Sequence, residues 1–110
     1  MTALEARTSG FVAVARIGDV EPGNVRVVEV DGRSLCIGLT EGGEWGAIDN
    51  VCTHDGGTLG EGELDESGVE CPRHGGRFDL FTGRVLALPP VKAVAAYETR
   101  VDGDVVEVRL

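Results

Sequence analysis

Two short stretches constrain this chain more than anything else in it. Cys52-Thr53-His54 is followed, after sixteen residues, by Cys71-Pro72-Arg73-His74. The chain has two histidines, and both fall here with two of its three cysteines. Four soft or borderline donors presented by two loops imply a metal centre, so the fold has to bring those loops together. One reading is a structural zinc bound by two cysteines and two histidines; another is four unrelated polar residues. Two features favour iron and sulfide. The single residue between Cys52 and His54 breaks the usual zinc-finger spacing. Glycines also crowd both loops, as Gly56, Gly57 and Gly60 after the first pair and Gly75 and Gly76 after the second. They let backbone N–H groups approach inorganic sulfide, which a bare zinc ion would not supply.

On these two motifs the sequence resembles the Rieske [2Fe–2S] proteins, and among them the small ferredoxins of bacterial oxygenase systems. The resemblance implies one [2Fe–2S] cluster, with Cys52 and Cys71 on one iron and the Nδ1 atoms of His54 and His74 on the other. Two ferric ions, two sulfides and two thiolates sum to zero charge with neutral imidazoles. An all-cysteine cluster carries two more negative charges, which oppose reduction. The histidine-bound iron would lie nearest solvent, with a free Nε2 edge on each imidazole. High-potential members of the family join a further cysteine in each ligand loop as a disulfide; Gly57 and Arg73 stand in those places. Where such members have a serine and a tyrosine donating to cluster sulfur, this chain has Gly76 and Phe78. The resemblance therefore implies a centre at the low end of the roughly −150 to +300 mV range. Leu88-Pro89-Pro90-Val91 resembles the proline loop that covers the cluster from a third side; the alternative is a plain linker.

A chain of 110 residues is one domain, and 42% hydrophobic content suffices for a core. The 17 glycines argue against a helical bundle and for many tight turns. A net charge of −9, from 10 basic against 19 acidic residues, argues against nucleic acid or an anionic membrane as partner. No run reaches the length of a membrane span, and residues 1–7 lack a signal-peptide core. Cys36 has no remaining thiol to pair with. Together these features predict a cytoplasmic location; a monomer is also expected.

Strands are expected at 11–17, 25–30, 34–40, 45–48, 77–80, 84–88, 93–101 and 104–109. Residues 1 to about 10 read as a loose terminus. Glu21-Pro22-Gly23-Asn24 and Glu41-Gly42-Gly43 are turn signals, and Asp31-Gly32, Phe81-Thr82-Gly83 and Asp102-Gly103 mark hairpins. Leu35, Ile37 and Leu39 share one strand face, which leaves Cys36 on the other as a buried core thiol. Trp45 reads as a core aromatic. The expected fold is all-β, a Rieske-like antiparallel β-sandwich forming a single domain over 1–110. Its base would span about 11–49 and 92–110, with a cluster-binding lobe at about 50–91 inserted in it.

The function expected is a one-electron carrier, not an enzyme, passing electrons from a flavin-dependent reductase to a terminal oxygenase. An oxygenase itself needs a mononuclear iron, and here both histidines are already committed. No dinucleotide-binding fingerprint is present either. The small subunit of a nitrite reductase system and a zinc-stabilised binding module are the alternatives. Asp55, Glu61, Glu63, Asp65, Glu66 and Glu70 fill the connection between the ligand pairs, with no basic residue among them. They read as a docking surface for a basic partner, or as a solvated loop that keeps the protein soluble. Arg73, Arg77 and Arg84 would balance that acid locally.

Overall fold

The computed structural model describes residues 10–51, 58–72, 75–88 and 92–110. Their strands are β1 (Phe11–Arg16), β2 (Asn24–Val30), β3 (Arg33–Leu39), β4 (Trp45–Asp49), β5 (Leu64–Asp65), β6 (Gly68–Glu70), β7 (Arg77–Asp79), β8 (Val85–Ala87), β9 (Ala96–Asp102) and β10 (Val105–Arg109). A six-stranded antiparallel sheet runs β1-β10-β9-β4-β3-β2, and a four-stranded one runs β5-β6-β7-β8. The outer strands β1 and β2 of the larger sheet touch, so that sheet curls toward a barrel.

The β2–β3 hairpin follows from its turn chemistry. Asp31 and Gly32 both take positive φ, 49° and 77°, as a two-residue turn of the primed kind requires. That turn sets Val30 opposite Arg33 and, six residues along, Asn24 opposite Leu39. With register set, the alternation of β3 divides the apolar residues between two cores. Leu35, Ile37 and Leu39 point into the curled sheet with Val20, Val30, Ala47 and Val108. Cys36 points the other way and packs with Ile48, Leu59, Val69, Cys71, Phe78, Leu80 and Val94. The second core therefore lies between the two sheets.

A pair of glycines seats the smaller sheet on the larger. Gly38 and Gly46 face each other across β3 and β4. A Cβ on Gly46 would come within 2.6 Å of Leu80 Cγ, and one on Gly38 within 2.9 Å of Leu80 Cδ2. Leu80, fully buried at the end of β7, fills the notch that the missing side chains leave.

Several strand expectations shift. The connection before Cys71 is not an open loop: it holds a 3-10 turn at Leu59–Glu61 and the β5–β6 hairpin. Two- and three-residue strands are too short for alternation to reveal them. The last hairpin turns on Gly103-Asp104, with Asp102 opposite Val105, and not on Asp102-Gly103. Gly103 has φ 66°, which suits the first central position of such a turn. The strand before it begins at Ala96, not Ala93. In β1 a bulge between Ala13 and Ala15 breaks the expected alternation, so Val12, Val14 and Ala15 all pack on the inner core. Trp45 is half-buried against that core.

Candidate metal centre

Cys71 directly follows β6 and is 1% exposed. Its N–H donates to the Gly76 carbonyl at 2.6 Å, and its carbonyl accepts from the Gly75 N–H at 3.1 Å. These bonds continue the β6–β7 hairpin past Glu70 opposite Arg77 and close it around residues 71–76. Gly75 turns the chain at φ 74°, a conformation that disfavours side chains. The Cys71 thiol is thereby pinned at the hairpin tip, facing the core between the sheets.

The other candidate ligands, Cys52, His54 and His74, lie outside the described residues, as do Gly57, Arg73, Asp55 and the Pro89-Pro90-Val91 stretch. The described residues do set where the first loop starts and ends. Val51 pairs with Thr58 in an isolated antiparallel bridge. The next residue, Leu59, is fully buried in the same core as Cys71. The feet of both loops thus meet in one apolar cluster. Val94, three residues beyond the proline stretch, joins that cluster and donates its N–H to the Gly83 carbonyl at 3.0 Å.

This arrangement fits an iron–sulfur cluster held between two loops. A thiol stands at one loop foot, and an apolar floor of Leu59, Val69 and Phe78 shields it from water on the core side. Cys36 shares that core but stays a thiol: burial pushes its pKa up to about 12. It lies on β3 opposite Ile48, as a packing residue.

The acidic side chains cluster beside the second loop. Glu61, Glu63, Asp65 and Glu66 are exposed and Glu70 is half-buried. A cleft of about 310 Å³ is lined by Glu61, Glu63 and Glu70 with Pro72, the neighbour of Cys71. Arg77 takes up part of this charge, as expected for it. Its guanidinium pairs with Asp65 at 3.6 Å and donates to the Asp65 carbonyl at 2.9 Å. Arg84 is exposed on the turn leading into β8.

Phe78 is fully buried against Val69 and Leu80, so position 78 faces the core that holds Cys71. Sequence reasoning passed over Asn50, which is 6% exposed at the foot of the first loop. Its signal was a polar residue directly after an apolar strand and two places before the candidate ligand Cys52.

A family model for the Rieske [2Fe-2S] domain matches residues 10–98. The ferredoxin component of a naphthalene 1,2-dioxygenase system from Pseudomonas aeruginosa is 34% identical over 103 residues, covering 94% of this chain and 98% of that protein. The solved ferredoxin of carbazole 1,9a-dioxygenase from Nocardioides aromaticivorans IC177 is 38% identical, with a TM-score of 0.83 and coverage of 89% and 95%. A chain in a solved complex of reduced oxygenase and oxidized ferredoxin in carbazole 1,9a-dioxygenase matches at 32% identity and TM-score 0.83, covering 91% of this chain and 93% of that one.

Proposed function

The chain belongs to the Rieske [2Fe-2S] domain family, and on that premise we propose that it is the ferredoxin component of a multicomponent dioxygenase system. It carries one [2Fe–2S] cluster and is an electron-transfer component rather than a catalytic enzyme. The observation that carries this reading is the pairing of the family match over 10–98 with relatives of nearly equal length that are themselves ferredoxin components. When bound, the cluster takes up one electron and gives it back.

The residues proposed to hold it are Cys52 and Cys71 on one iron and His54 and His74 on the other. Cys71 supports the assignment by its burial and by the hairpin that pins it. The donor proposed is a flavin-dependent reductase, the acceptor a terminal oxygenase, and the carrier acts as a monomer. The division into a base and a cluster-binding lobe at about 50–91 is likewise proposed. It is supported by the way the smaller sheet, with both loop feet, packs on one face of the larger.

Two kinds of described side chain border the loops. Val51 and Leu88 are 50% and 72% exposed where the first loop and the proline stretch begin. Glu61, Glu63, Asp65 and Glu66 lie on the β5–β6 side. Exposed apolar groups with a charged margin suit a transient interface, in which charge sets encounter rate and apolar contact sets lifetime. A cytoplasmic location is part of the same proposal.

The test is direct. The purified protein is expected to be red-brown, with two irons and two sulfides per chain. It should accept one electron from a reductase and pass it to an oxygenase. Cys52→Ala and Cys71→Ala should each abolish the visible spectrum, since two loops lose their tie. A colourless protein containing zinc would overturn the assignment.

A further inference from the structure

We propose that Asn50 is a positioning residue for the first ligand loop, holding the two ends of segment 52–57 at a set span. All four of its polar groups are used. The backbone N–H donates to the Ser34 carbonyl at 3.1 Å, and the carbonyl accepts from the Leu59 N–H at 3.3 Å. Side-chain Nδ2 donates to Ser34 Oγ at 3.0 Å, and Oδ1 accepts from the Gly60 N–H at 2.6 Å. One buried residue thus ties the strand entering the loop to the turn leaving it, and ties both to β3.

Few other residue types fit this position. The clamp needs a donor and an acceptor on one short side chain, and only 6% of Asn50 is exposed, so water cannot substitute freely. Gly60 is adapted to the same contact. A Cβ there would collide with the Val27 side chain and come 3.0 Å from Asn50 Oδ1. The 3-10 turn is therefore pressed against β2, with its N–H directed at the amide. Because Cys52 follows Asn50 by two residues and Gly60 follows the loop by three, the clamp acts on the cluster through the loop's ends. Val51 and Thr58, the bridged pair inside the clamp, gain their spacing from it.

The inference rests on the carrier reading above, so iron and sulfide in the wild-type protein are measured first; a wild-type protein without them overturns that reading and this one together. With the cluster present, its release is followed as loss of visible absorbance under excess chelator. Wild type, Asn50→Ala, Asn50→Asp and Val108→Ala are each compared at the same interval below their own unfolding midpoints. Val108 is fully buried in the other core, so its truncation is a control for general destabilisation.

Asn50→Ala should release iron about tenfold faster than Val108→Ala, as expected for losing roughly one to two net hydrogen bonds at the loop ends. Asn50→Asp should fall between wild type and Asn50→Ala, because a carboxylate oxygen still accepts from Gly60 and the Ser34 hydroxyl turns to donate, while burying the new charge costs part of that gain. The electron paramagnetic resonance of the reduced protein should broaden in Asn50→Ala and not in the control. Release no faster than Val108→Ala, or Asn50→Asp as fast as Asn50→Ala, would overturn the proposal. Should Asn50→Ala not fold, Ser34→Ala removes only the Nδ2 partner. An acceleration short of tenfold supports the clamp, and an unchanged rate overturns it.

Discussion

Where the family resemblance expects a hydroxyl in high-potential relatives, this chain has the bare ring of Phe78. The ring is fully buried in the core that includes Cys71, and Gly76, whose carbonyl bonds the Cys71 N–H, has no side chain to donate. A donor to cluster sulfur stabilises the reduced state, so the lack of one here accords with the low potential that the resemblance implies. Gly76→Ser and Phe78→Tyr should each raise the midpoint potential. A differential hydrogen bond of about 1 kcal/mol corresponds to about 40 mV for one electron, measurable by redox titration. A wild-type potential in the upper half of the family range would show that other groups set it. Cys36 makes a prediction of its own. With its thiol raised from 9.0 to about 12 by burial, the folded form keeps a proton that the unfolded chain loses above about pH 9. That stabilisation is fully present below pH 9 and falls as pH rises toward 12, by about 1.4 kcal/mol per unit. Cys36→Ala should leave the visible spectrum intact and flatten that part of the stability profile. Tyr97, whose pKa is raised by burial and then by its bond to Asp49, should keep some slope above pH 10.

Among the strands, the contact between β7 and the β3–β4 pair carries the most mechanical consequence. Leu80 rests on Gly38 and Gly46, and at Gly46 a new Cβ would also meet the Leu80 carbonyl at 2.8 Å. Backbone cannot swing aside as a flexible side chain can, so Gly46→Ala should cost about 1–3 kcal/mol. Leu80→Ala leaves a cavity in the core between the sheets and should cost about 2–5 kcal/mol. Urea titration of the loaded protein measures both. Leu80→Ala should in addition speed cluster loss, because Leu80 shares its core with Leu59 and Cys71 at the loop feet. Equal stability in Gly46→Ala and wild type would mean that the smaller sheet shifts on its seat without penalty. Gly38 and Gly46 were visible in the sequence as strand glycines, but nothing local announced that Leu80, more than thirty residues later, would occupy their space.

For the molecule as a whole, charge is expected to set how a redox partner is met. A net −9, with Glu61, Glu63, Asp65 and Glu66 exposed beside the second loop, should attract a basic redox partner over about a Debye length. Neutralising these four together should slow electron exchange with such a partner about tenfold at low salt, through association rate rather than lifetime. Stopped-flow reduction across an ionic-strength series reads this as a flatter salt dependence. Rates indifferent to both salt and substitution would leave the acidic surface with solubility as its role. Asp65 is engaged by Arg77 at 3.6 Å, so it should contribute least of the four.

What could be read from residues alone was whatever local chemistry dictates. Asp31-Gly32 prescribes a hairpin because few other pairs accept two positive φ values, and the alternation through β3 follows at once. Two Cys–His pairs among glycines point to a metal centre, and the family resemblance they carry implies the cluster. The rest depended on contacts between residues far apart in sequence. The β5–β6 hairpin has no pattern of its own and forms because Val69 and Leu64 find the core between the sheets. The bulge in β1 lies in its pairing with β10, at the far end of the sequence, and leaves no mark in the local pattern. Asn50 differs from any other polar residue near a strand end only once Ser34, sixteen positions before it, and Gly60, ten after, close on it. Hydrogen bonds and close packing of that kind depend on spatial neighbours, and tertiary folding alone selects them.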